Sequence, residues 1–292
     1  MADVVPDVPA QGGTASIADL APEHQDRPYL GYADITQFRS DANGNYNALQ
    51  LSATKRKGSL TAAVSYTWSK AMGQISGLNG NPEPECPFSC QLPNGQILSW
   101  RQFYNGPVSF DRHHIFVASY TYDFPFFRNR GGVGEAILGG WEISGITRAQ
   151  SGPPLVVTGA QTIGASGSGV TAFTRRADLV PGVPLNSGYT CPTGKVCWFN
   201  PAAFAKAPTT GVGDAPAVSP IGPGYFGWDM SLRKTFKLPS EGTSIQFQAD
   251  AFNAFNHTNW GTPGTNVTGG GFGQIGGSNP PRNVQFGAKF IF

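Results

Sequence analysis

Charge is scarce in this chain: Asp, Glu, Lys and Arg make up 13% of its 292 residues, and the net excess is only +2. A nearly neutral chain exerts no broad electrostatic pull, so a nucleic-acid partner is not expected. Long apolar runs are missing as well. No stretch reaches the roughly 18 apolar residues that a transmembrane helix requires. The opening MADVVPDVPAQGGTASIADL lacks a basic start followed by an apolar stretch, so it does not read as a signal peptide. The Ala-, Glu-, Lys- and Leu-rich composition of long helices is absent too. None of this excludes a transmembrane barrel, whose strands are only about 9–11 residues long and alternate in polarity.

What the chain does contain is 39 Gly, 24 Pro and 20 Phe. That much aromatic surface argues against disorder, and the frequent turn residues argue for many short strands. The clearest strand runs from Leu60 to Lys70, with Leu60, Ala62, Val64, Tyr66 and Trp68 on one face and Thr61, Ala63, Ser65, Thr67 and Ser69 on the other. Tyr46 to Thr54 precedes it, and a tight basic turn over Lys55–Ser59 joins the two as a hairpin. The same alternation marks His114–Phe124, Trp141–Gln150, Trp228–Phe236, Ile245–Phe255 and Val284–Phe292. Tyr32–Arg39 and Leu155–Thr158 are weaker candidates, and the total is about nine strands. Their second faces carry Ser, Thr, Gln and Gly rather than many Lys and Glu, and aromatics cluster near the ends of the apolar faces. Lipid outside and a wet lumen inside fit that pattern. A soluble two-sheet sandwich gives the same period, and periodicity alone leaves both open.

Connections alternate between short ones, Lys55–Ser59 and Pro239–Gly242, and long ones, Ala71–Phe110 and Gly159–Gly227. Barrels of the outer membrane show this asymmetry. All four cysteines fall in the long connections: Cys86 and Cys90 in one, Cys191 and Cys197 in the other. Their spacings suit two local disulfides and do not match the paired knuckles of structural zinc. The histidines, His24, His113, His114 and His257, form no metal-ligand spacing, so no metal is expected. Gly271–Gly276 spells GxGxxG, but Asn279-Pro280-Pro281 follows it and forbids the helix that a dinucleotide site needs. Glu83 and Glu85 read as solvated loop acids. No nucleophile–base set survives inspection, so neither enzymatic activity nor a cofactor is expected. The last strand keeps its alternation to the end, with Phe286, Phe290 and Phe292 in phase.

Three segments, Asn45–Met72, Ser109–Phe126 and Leu138–Leu155, resemble successive strands of TonB-dependent receptor barrels. The nearest type is the Oar-like receptors with a carboxypeptidase-regulatory-like N-terminal domain, abundant in acidobacteria. Cys197–Phe204, Gly222–Phe236, Phe247–Pro263 and Pro280–Phe292 continue the resemblance in the same order. It implies an all-β antiparallel meander forming part of a transmembrane β-barrel, with long irregular extracellular loops, in the outer membrane of a Gram-negative bacterium. An irregular segment over 1–26 would precede a partial barrel over 27–292.

Such receptors are expected to carry 22 strands, a plug and a TonB box, so the chain reads as the C-terminal part of one. The TonB complex would act only through the missing plug region. The other implied partners are outer-membrane lipid and the barrel assembly machinery, whose recognition signal the terminal Phe286, Phe290 and Phe292 resemble. Trp100, Arg101, Tyr104, Trp198 and Phe199 are the candidate exposed contacts to an oligosaccharide or peptide ligand; packing of the loops against each other is the competing role for each. A self-contained small porin or adhesin-like barrel, and a secreted β-sandwich binding module, are the alternative functions.

Overall fold

A computed structural model describes residues 42–74, 89–92, 94–126, 132–163, 173–186, 190–206, 212–215, 220–239 and 242–292. The elements are β1 (Gly44–Lys57), β2 (Leu60–Gly73), β3 (Ser89–Gln91), β4 (Ile97–Ser99), α1 (Trp100–Tyr104), β5 (Gly106–Pro107), β6 (His114–Asp123), α2 (Gly132–Leu138) and β7 (Trp141–Gln150). They continue with β8 (Thr158–Ile163), β9 (Phe173–Arg176), β10 (Asp178–Leu179), β11 (Phe204–Ala205), β12 (Tyr225–Lys237), β13 (Ser244–Phe252) and β14 (Asn283–Ile291). No described helix is long and apolar enough to cross a membrane.

One antiparallel sheet dominates, in the order β1-β2-β6-β7-β12-β13-β14, with β5 paired to the far end of β2. Long strands that follow one another in the chain lie side by side, so the sheet is a pure meander. No second large sheet faces it among the described residues. Among the described residues the sheet is open, and β1 and β14 each have one neighbour in it.

Seven long strands stand where about nine were expected. The Tyr32–Arg39 candidate and the irregular 1–26 segment lie outside the described residues. Leu155–Val157 is loop rather than strand, because Leu155 and Val157 are buried in a separate cluster above the sheet. The basic turn is also shorter than expected. Lys55, Arg56 and Lys57 remain in β1, paired with Ala62, Thr61 and Leu60, and only Gly58 and Ser59 turn the chain. A two-residue hairpin turn needs a positive φ, which Gly58 supplies at +70°.

The register carries the apolar parity from strand to strand. Leu51 of β1 pairs with Tyr66 of β2, Tyr66 with Phe116 of β6, and Phe116 with Ala149 of β7. Further along, Leu232 of β12 pairs with Ala249 of β13, and Ala249 with Phe286 of β14. One face of the sheet is therefore continuously apolar, and large side chains on it, among them Leu49, Leu51, Trp68 and Phe247, are exposed. Phe286 is 84% exposed and Phe292 93% exposed. Exposed aromatics at that density mark a surface meant for a non-aqueous neighbour.

Rings collect at the two ends of this face. Tyr122–Phe124, Phe236–Phe247 and Phe290–Phe292 pair near the short turns. Tyr66–His114, Trp228–Phe255 and Phe226–His257 pair near the long loops. Trp228 and Phe236 are eight residues apart along β12, or about 26 Å of strand, close to the height of the apolar band of an outer-membrane barrel.

Tyr120 shows how a polar tip is accommodated on this face. Its ring crosses β7 at Gly145, and its hydroxyl accepts a hydrogen bond of 2.6 Å from the Trp228 indole N–H. A Cβ at Gly145 would sit 2.6 Å from the Tyr120 hydroxyl and 2.8 Å from the Asp229 carbonyl. The glycine is therefore required for the crossing. Tyr120→Phe leaves the indole N–H unpaired and is expected to cost about 1–2 kcal/mol, whereas Gly145→Val is expected to cost more, about 1–3 kcal/mol or above, because backbone must shift. Urea unfolding in detergent micelles or vesicles, followed by tryptophan fluorescence, measures both.

Candidate functional site

The polar parity forms the other face. Thr54 and Arg56 of β1, Thr61 and Ala63 of β2, Ser119 and Thr121 of β6, Ser144 of β7, Asp229 and Ser231 of β12 and Asp250 of β13 line one groove of about 520 Å³ across the sheet. A polar ladder runs beside it. Arg233 Nη1 donates to Glu142 Oε1 at 2.8 Å, its Nε donates to Gln248 Oε1 at 3.2 Å, and Gln248 Nε2 donates to Asp250 at 2.7 Å. These groups come from three adjacent strands, and cross-strand register alone brings them together. The sequence alternation implied their face but not their pairing. At the turn-side end, a cavity of about 630 Å³ lies between α2 and the Glu142–Arg233 pair.

Above the sheet, the described parts of three long connections, between β2 and β6, between β7 and β12 and between β13 and β14, fold on one another. Phe199, Phe204 and Phe272 meet edge to face with centroids 5.4–6.0 Å apart, and Leu155, Val157, Ala177, Ala203 and Ala215 close around them. Phe272 comes from the third connection and the rest from the second. Backbone bonds tie the same two connections together: Trp198 N–H donates to the Gly273 carbonyl, and Ile275 N–H to that of Val196. The first connection docks through α1. Arg176 lies over the Phe103 and Tyr104 rings at 4.1 and 4.6 Å and donates to the Phe103 carbonyl at 2.8 Å. The result is a cap with its own core, formed by loops that cannot bury apolar surface singly.

The sequence motifs acquire physical roles in this frame. In the Ser109–Phe126 segment, buried Asp111 accepts a hydrogen bond from Ala71 N–H at 2.8 Å and contacts His113 at 3.1 Å, clamping the upper end of β2. His114 lies on the apolar face, bonded to the Tyr66 hydroxyl at 2.8 Å. In the Phe247–Pro263 segment three asparagines build the exit from β13. Asn253 and Asn256 take φ of 50° and 53°, a region Asn tolerates better than most residues. Asn259 both accepts from Phe226 N–H and donates to the Phe226 carbonyl, prolonging the strand pairing beyond its last residue.

Cys191 and Cys197 form a disulfide with each other, as their spacing implied. Cys86 lies outside the described residues, so its expected bond to Cys90 does too. The expected ligand contacts separate into groups. Phe199 is 0% exposed and Tyr104 8%, so neither is an exposed contact; both hold the cap together. Trp198 is half-buried and donates its indole N–H to the Ile221 carbonyl at 2.7 Å. Arg101 is exposed on α1, and the side chain of Trp100 lies outside the described residues. Arg176 and Phe272 were not singled out from sequence. Phe272 sits inside the glycine-rich run, where glycine hid a core residue. Among the described residues no three metal-ligating side chains converge.

A family model described as "Outer membrane beta barrel domain" matches residues 5–285. The chain belongs to that family, which places it in the outer membrane. No match was found among curated proteins or among solved structures.

Two outcomes follow from the cap. Phe272→Ala empties its core and is expected to cost about 3–5 kcal/mol of local stability. Limited proteolysis should then cut within 253–282, while the sheet keeps its heat-modifiable gel migration. The second concerns Asp178, whose carboxyl is raised above its ordinary 3.8 by burial and secondarily by Asp214, while the Asp214 N–H bond opposes the rise. A raised folded pKa favours folding fully below the ordinary value and loses that contribution as pH rises through the raised one. Protease resistance of the cap should therefore fall as pH is brought up from about 3.5 to neutrality. Asp178→Asn keeps the oxygen that accepts from Asp214 N–H and should flatten that dependence.

Proposed function

We propose that this outer-membrane barrel domain is the ligand-capturing, C-terminal barrel region of a TonB-dependent receptor of the Oar-like type. The cap carries the reading: long extracellular loops that share one core form a standing surface above a polar lumen, which suits selective capture better than free diffusion. In that reading the unpaired edges of β1 and β14 continue into further strands of a larger barrel, since an open edge in hydrocarbon leaves backbone groups unsatisfied. Uptake requires no covalent chemistry. The TonB complex would release the lumen through a plug, and Phe286, Phe290 and Phe292 would present the terminal strand to the assembly machinery.

An oligosaccharide or peptide is the ligand class, met by Trp100, Arg101 and Trp198 through stacking and charge-assisted hydrogen bonds. Purified full chain in a planar bilayer, with cap tryptophan fluorescence read against oligosaccharide and peptide panels, tests the reading. Saturable quenching without steady conductance is expected, weakened about tenfold by Arg101→Ala. A steady open-pore conductance with no saturable ligand would favour a self-contained porin and overturn the receptor.

A further inference from the structure

The ionisable residues of the seven long strands are sorted by face. All four of their carboxylates, Asp123, Glu142, Asp229 and Asp250, have the polar, lumen-facing parity. The apolar face carries lysines only at its margins: Lys55, Lys57, Lys70 and Lys234. Lys234 is committed, since its Nζ donates to the Gly139 carbonyl and lies over the Trp141 and Phe236 rings. Lys55 and Lys57 are exposed and make no ion pair with any described residue.

Their position follows from the two-residue turn at Gly58, which keeps both in β1 on the outward parity. Lys57 pairs with Leu60, whose other neighbour is Tyr122 of β6. The lysines thus stand beside the turn-side aromatic belt, with the Tyr122–Phe124 ring pair about 10 Å away across two strand spacings. Ala53, Ala62 and Val64 lie next toward the membrane centre and are small. Short turns of outer-membrane barrels face the periplasm, so this belt meets the inner leaflet.

We propose that Lys55 and Lys57, on the same turn-side rim as Tyr122 and Phe124, form a docking site for the phosphate headgroup of an anionic phospholipid in the periplasmic leaflet, with its acyl chain over Ala53, Ala62 and Val64. The cations, and the inward parity of every carboxylate in the seven long strands, supply the charge complementarity, and the rings set the depth. The site rests on the outer-membrane placement but not on the receptor reading, and it involves neither the cap nor the lumen.

Full chain reconstituted in vesicles of phosphatidylcholine and phosphatidylglycerol in about equal parts, then examined by native mass spectrometry for retained lipid, tests it. Wild type should retain phosphatidylglycerol in preference to phosphatidylcholine, and added salt should erase the preference. Lys55→Gln should weaken retention about fivefold, the factor corresponding to ~1 kcal/mol per lysine, and the double variant with Lys57→Gln should abolish the preference. Lys70→Gln, at the opposite rim, should leave it intact. Equal retention by wild type and double variant, an equal loss with Lys70→Gln, or a preference indifferent to salt would each overturn the site. If the double variant fails to insert, the salt arm on wild type and the Lys70→Gln arm still decide.

Discussion

In hydrocarbon a backbone N–H or C=O finds no water, so each must find another backbone group, and this constraint organises the whole molecule. The meander answers it by pairing each long strand with its sequence neighbour over eight or more residues. Because side chains alternate along a strand, the same pairing sorts them into two faces without further instruction. The lipid face is consequently exposed rather than buried. Among the described residues the usual signature of a core, large apolar residues hidden from solvent, is found in the loops above the sheet.

Polar groups on the two faces are handled by different physics. On the lumen side Glu142, Arg233, Gln248 and Asp250 form a partly solvated ladder, in which each charge has a partner and water remains near. On the lipid side two pairs of polar tips satisfy one another: Trp228 with Tyr120, and His114 with Tyr66. Outward cations sit only at the margins, where a long aliphatic stem reaches the interface. The asymmetry between an acid-bearing lumen and an acid-free exterior gives the barrel wall its direction.

The cap is a second folding problem solved by different means. Its segments are rich in Gly and Pro and individually too irregular to hold a core, but three rings, one Arg–aromatic stack and a disulfide combine them. The Phe199–Phe272 contact and the Arg176–Phe103 stack join residues distant in sequence, so the cap depends on the sheet to bring its roots together. The clamp from Asp111 to Ala71 and the asparagine-built exit from β13 connect the two bodies at their shared boundary.

Alternation in Leu60–Lys70, His114–Phe124 and Val284–Phe292 was enough to identify the strands and their apolar faces, because a strand's period of two is a local property of the chain. The Cys191–Cys197 pairing was legible for the same reason, since both residues lie within one short segment. Phe199 and Tyr104 were another matter. An aromatic in a Gly- and Pro-rich loop looks equally suited to contact a ligand or to fill a core, and only the approach of Phe272 and Arg176 from elsewhere decided for the core. Lys55–Lys57 likewise read as a turn until pairing with Ala62 and Leu60 kept them in the strand, which set two lysines outward and one arginine inward. Local periodicity determined which residues alternate; long-range pairing, with its register and its loop-to-loop contacts, decided which of them face lipid, lumen or each other.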